Sequence, residues 1–83
     1  MSIQIHPHAL ERMRERGAKE DEVRLTVEGG EKFPAKFDRT GFRRNFAFNT
    51  EWRGNFYTTK QVEVFAVKEN EIWIIVTVIT RYF

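Results

Sequence analysis

The sequence predicts an α+β fold: two N-terminal helices packed on a three- to four-stranded antiparallel meander sheet. Three observations predict it. The stretch Ile72 to Ile79 is apolar at both parities, broken only by Thr77, and rich in Ile and Val, which suit a pleated surface. A strand apolar on both faces sits inside a sheet rather than at its edge. Near the N-terminus, two segments with helical apolar spacing end at Gly17 and at Gly29-Gly30. Between these regions, Phe42 to Asn49 alternates as a strand, so the order is helices first and strands after.

Residues 2 to 5 (SIQI) suit a short leading strand. Pro7 fits the first turn of a helix, where its missing N–H costs nothing, and Gly17 fits the position just past the helix end. Ala9, Leu10 and Met13 make a narrow apolar stripe. His8, Arg12 and Arg16, spaced i, i+4, i+8, stack along one flank of it. A second short helix is expected over about Lys19 to Val27, with acidic residues in its first turn and Val23, Thr26 and Val27 on its apolar side. Residues 31 to 41 read as a loop punctuated by Pro34 and Gly41. Phe42, Arg44, Phe46 and Phe48 share a parity, which gives the first long strand a mostly apolar inner face. A turn with Gly54 leads to the strand Phe56 to Val67, and a tight turn over Lys68 to Glu71 leads to the last strand. A two-residue loop at Glu69-Asn70 would pair Val64 with Ile75, Val62 with Thr77 and Lys60 with Ile79, placing Lys60, Thr77 and Arg81 on one face.

The 83 residues bound the chain to one domain, 1–83, with one small core. There is no cysteine, which removes disulfides and thiolate metal sites and fits a reducing cytoplasm. No signal peptide is visible, and the longest apolar run is too short to cross a bilayer. Net charge is +2, but residues 1 to 53 hold eleven Lys/Arg against nine Asp/Glu, whereas the remainder holds three of each. A pI near 9.2 is typical of domains that meet nucleic acid.

No Gly-rich phosphate loop, zinc spacing or H-E-x-x-H string is present, so no metal ligands and no cofactor are expected. Ser2 is the only serine, which disfavours a serine triad, and a structural role fits His6. What remains is His8, Arg12 and Arg16 with Lys60, Thr77 and Arg81. This set suits metal-independent RNA cleavage: a neutral His takes the 2′-hydroxyl proton, and cations stabilise the five-coordinate phosphate. Arg43, Arg44 and Arg53, interleaved with Phe42, Phe46 and Trp52, add candidate RNA contacts beside Arg81.

The string from His8 to Gly17 (HALERMRERG), followed by an acidic helix start, resembles the opening of the DUF4258 family, and Ile75 to Val78 resembles its closing strand. That family is similar in organisation to the ribonuclease toxins of the RelE/BrnT and barnase/EndoU-like group. The resemblance implies a toxin-type endoribonuclease with His8, Arg12, Arg16 and Thr77 in its site, and an antitoxin-like protein partner. Lys60 and Arg81 come from the strand register instead. Residues 31 to 55 do not carry the resemblance. Family endings often place an aromatic soon after the Thr77 position, but Ile79 follows here and Tyr82 and Phe83 come later. Two other readings stand beside the enzyme: a nucleic-acid-binding domain without catalysis, and an interaction module that binds another chain along a strand edge.

Overall fold

The computed structural model describes residues 2–83. Its elements run β1 (Ser2–Ile5), α1 (Pro7–Arg16), α2 (Glu20–Gly29), β2 (Glu31–Pro34), β3 (Thr40–Trp52), β4 (Asn55–Glu69) and β5 (Ile72–Tyr82). The two N-terminal helices and the α+β class are as the sequence predicts. The sheet is larger and not purely antiparallel: its five strands are ordered β1-β5-β4-β3-β2. β1 pairs in parallel with β5, and β2, in the segment expected to be a loop, pairs with β3. Glu31–Pro34 is too short to show a period, so its strand character comes from pairing with Thr40–Arg43.

β5 is the interior strand that its two apolar parities predict, flanked by β1 over Ile72–Ile75 and by β4 along its length. Val23, Val27, Val62, Val64, Ile75 and Val78 fill the space between helices and sheet, joined by Phe42 and Trp73 edge to face at 5.1 Å. Each large aliphatic chain buried this way contributes about 1.5–3 kcal/mol.

The β4–β5 register differs from the expected one in two ways. The turn is Asn70-Glu71, both in left-handed conformation (φ 49° and 65°), a geometry that matches the twist of a two-residue hairpin. A bulge then adds a residue to β5: Ala66 pairs with Ile75, but Phe65 pairs with Thr77. Lys60 therefore pairs with Tyr82, not Ile79, and Val62 with Thr80, not Thr77. Trp73, Ile75, Val78, Thr80 and Tyr82 face the helices with Lys60, while Thr77, Ile79 and Arg81 face the opposite, uncovered side of the sheet. The expected grouping of Lys60 with Thr77 and Arg81 does not form, because periodicity does not reveal an added residue.

Candidate functional site

α1 lies along β5. The His6 N–H bonds the Ile75 carbonyl at one end, and at the other the Thr80 and Tyr82 hydroxyls donate to the Arg16 carbonyl, both at 2.8 Å. Pro7 occupies the first turn, and His6 caps it by accepting the His8 N–H on Nδ1 at 3.1 Å. Gly17 closes the helix at φ 72°, and a Cβ there would run into Trp52 and Tyr82.

Ala9 and Met13 seat the helix on the sheet, and His8, Arg12 and Arg16 rise along one flank. His8 is exposed, Arg12 is half-exposed and pairs with Glu15 at 3.2 Å, and Arg16 turns under to donate to the Val78 carbonyl at 2.6 Å. That carbonyl belongs to the part of β5 that β1 does not reach, an open strand edge. Thr77, the preceding residue, faces the other side of the same edge. Of the four expected catalytic residues on these two elements, Arg16 alone reaches from α1 to β5; His8 stands exposed and Arg12 half-exposed on the helix side, and Thr77 lies on the opposite face of the sheet.

Lys60 is not among them. It is 2% exposed, its ammonium 2.6 Å from Glu22 Oε1 and also donating to the Gly17 carbonyl. Glu22 Oε1 takes the Lys19 N–H as well, so one carboxylate oxygen joins the start of α2 to the sheet. Two expected RNA contacts serve the helices in a similar way. Arg53 donates to the Glu15 carbonyl at 2.5 Å, a cation where the dipole of α1 favours one, and Arg44 donates to the Leu25 carbonyl of α2 at 3.1 Å. Beside Lys60, Tyr82 stacks on Trp52 with ring centroids 5.0 Å apart. Burial pushes its phenol above the ordinary value of 10.0; nearby Glu22 adds to the rise, while the Thr80 hydrogen bond and Arg53 oppose it.

Arg43 and Arg81 stand on the uncovered face of the sheet, on either side of Glu63. Arg43 donates twice to Glu63 Oε2, at 2.8 and 3.2 Å. Arg81 meets Oε1 as an ion pair. The carboxylate is only 5% exposed although no helix covers it. Next to this cluster lies an open groove of about 660 Å³ lined by Phe33, Phe37, Arg39, Phe65 and Thr77 among others. Its floor depends on Gly41: Phe33 lies across that residue, where a Cβ would collide with the ring, and meets Phe65 edge to face at 6.1 Å.

Sequence reasoning does not single out Glu63 or these three phenylalanines. A signal for two of the rings is present in Phe33-Pro34-Ala35-Lys36-Phe37-Asp38-Arg39, where rings alternate with cations in a segment expected to be only a loop.

A family model described as a domain of unknown function, DUF4258, matches residues 5–80. No curated protein and no solved structure matches the chain.

Proposed function

We propose that this chain, which belongs to the DUF4258 family, is a small ribonuclease of toxin type that cuts RNA at the open edge of β5. The observation that carries this reading is the bond from Arg16 to the Val78 carbonyl, which seats the last residue of the His8–Arg12–Arg16 flank on the strand that bears Thr77. Neutral His8 takes the proton from a ribose 2′-hydroxyl, and the 2′-oxygen attacks the adjacent phosphorus. Arg12, held only by a weak surface pair, and Arg16 stabilise the charge on the five-coordinate phosphate. The Thr77 hydroxyl orients a phosphate oxygen. The 5′-oxygen leaves and collects a proton from water, His8 returns its proton to the hydroxide so formed, and the product is a 2′,3′-cyclic phosphate.

The order of helices before a site-bearing sheet supports likening the chain to the RelE/BrnT and barnase/EndoU-like toxins. A toxin of this kind has a protein antitoxin, and a partner strand added along β5 would close the same edge that RNA must reach. Incubating the purified protein with a structured RNA and mapping product ends tests the reading. Products with 2′,3′-cyclic phosphates are expected; products bearing 5′-phosphates and 3′-hydroxyls would exclude 2′-hydroxyl attack.

A further inference from the structure

We infer that the groove between Phe33, Phe37 and Phe65 is a subsite for one unpaired nucleotide of an RNA strand, the base stacking on Phe37, its phosphate meeting Arg39 and the adjoining backbone reaching Arg81. This rests on the RNA reading above and extends it from the strand edge to the uncovered face of the sheet.

Four observations carry it. Phe37 is 82% exposed, a large apolar ring left in water at the mouth of the groove. It is held there by a backbone that bulky residues avoid: Phe37 and Asp38 both adopt left-handed conformations (φ 62° and 55°). A chain that stores strain to present a ring to solvent has a ring-binding surface in place before its ligand arrives.

Cations accompany the rings. The Arg39 guanidinium lies 5.7 Å from the centre of Phe37, and that of Arg43 lies 4.6 Å from Phe33. Stacking faces with guanidinium groups beside them suit a nucleotide, whose base is flat and whose phosphate is anionic.

Glu63 sets the charge of this corner. Its buried carboxylate stands between two arginines, and Glu31 pairs with Arg43 as well at 3.6 Å, so Arg43 is balanced while Arg81 keeps 55% of its side chain exposed for a phosphate to approach. The Glu63 carboxylate fixes where the arginines stand.

Thr77, finally, belongs to both places. It lines the groove and precedes Val78, whose carbonyl holds Arg16. A strand of RNA crossing the edge of β5 would pass from the His8 flank directly to the groove. An acidic peptide could use the cations but would leave the faces of the rings in water, so a nucleotide is the better match.

The test uses a labelled 2′-O-methyl hexanucleotide, which binds as RNA but lacks the attacking hydroxyl, and reads affinity by fluorescence anisotropy. Phe37→Ala, on an exposed side chain, is expected to weaken binding about 5- to 140-fold, the range of one base stack. Arg81→Gln is expected to weaken it and lower its salt dependence. Phe56→Ala, which removes another exposed ring on the β3–β4 hairpin, serves as the control and should bind as wild type. Wild-type binding unchanged by Phe37→Ala and Arg81→Gln would overturn the subsite and leave the RNA reading standing. Absence of both binding and cleavage in wild type across several RNAs would overturn the RNA reading and the subsite with it. Displacement of the oligonucleotide by a poly-glutamate peptide at equal affinity would make the groove a protein dock and overturn the inference.

Discussion

The ammonium of Lys60, on β4, sits 2.6 Å from Glu22 Oε1 on α2, and both groups are largely shielded from water. The same ammonium donates to the Gly17 carbonyl at the end of α1, so a single side chain ties both helices to the sheet. A pair of this kind is costly to break on one side, because the remaining charge stays buried without its partner. Lys60→Ala is expected to lower stability by about 3–5 kcal/mol. Urea denaturation measures this, and a loss under about 1 kcal/mol would show the pair to be as weak as an exposed one.

Tyr82 gives the fold a pH dependence at alkaline pH. Burial raises its folded-state pKa above the unfolded value, so the native state keeps the phenolic proton longer. The resulting stability is fully present below about pH 10, the ordinary tyrosine value, and is lost as pH rises through the folded pKa. Tyr82→Phe should remove that part of the decline. Equal slopes of urea midpoint against pH for wild type and Tyr82→Phe above pH 10 would contradict it.

The alternation of β5 makes neighbouring isoleucines unequal. Ile75 is fully buried against the helices, whereas Ile74, on the uncovered face, is half-buried. Ile75→Ala should cost about 2–5 kcal/mol and Ile74→Ala clearly less. Equal losses in thermal melts would mean that the sheet faces are assigned wrongly.

The arginines divide by what they already hold. Arg43 and Arg81 flank Glu63 on the open face, while Arg44 and Arg53 bond helix carbonyls. Removing Arg43 and Arg81 together should flatten the log–log salt dependence of RNA binding by about one unit for each phosphate they neutralise. Arg44→Ala and Arg53→Ala should lower stability and leave that slope alone, and a flattened slope in either would return it to the RNA surface.

Much of this is legible in the chain. Pro7 and Gly17 bracket α1, and Val23, Thr26 and Val27 mark the buried side of α2, because caps and 3.6-residue spacing are local properties. The apolar parities of Ile72–Ile79 identify an interior strand for the same reason. The side on which Thr77 falls is not legible, since one bulge residue reverses a face and leaves composition unchanged. β2 is hidden because four residues acquire strand character only from their partners. Lys60 reads as a free cation, and only the approach of Glu22 and Gly17, distant in sequence, makes it structural. Glu63 is obscured on a β4 stretch that otherwise alternates, where a charged residue reads as solvated.

The central claim is that His8 is the base in RNA cleavage. Its imidazole is exposed beside the Arg12 flank, whereas His6 gives its Nδ1 to the helix cap. The most direct measurement is the rate of RNA cleavage by folded His8→Gln beside wild type, in the presence of EDTA, with thermal melts of both. The expected result is unchanged melting, metal-independent cleavage by wild type, and a loss of about 10²–10⁴ in the variant. Cleavage that survives at the wild-type rate in His8→Gln would contradict the claim.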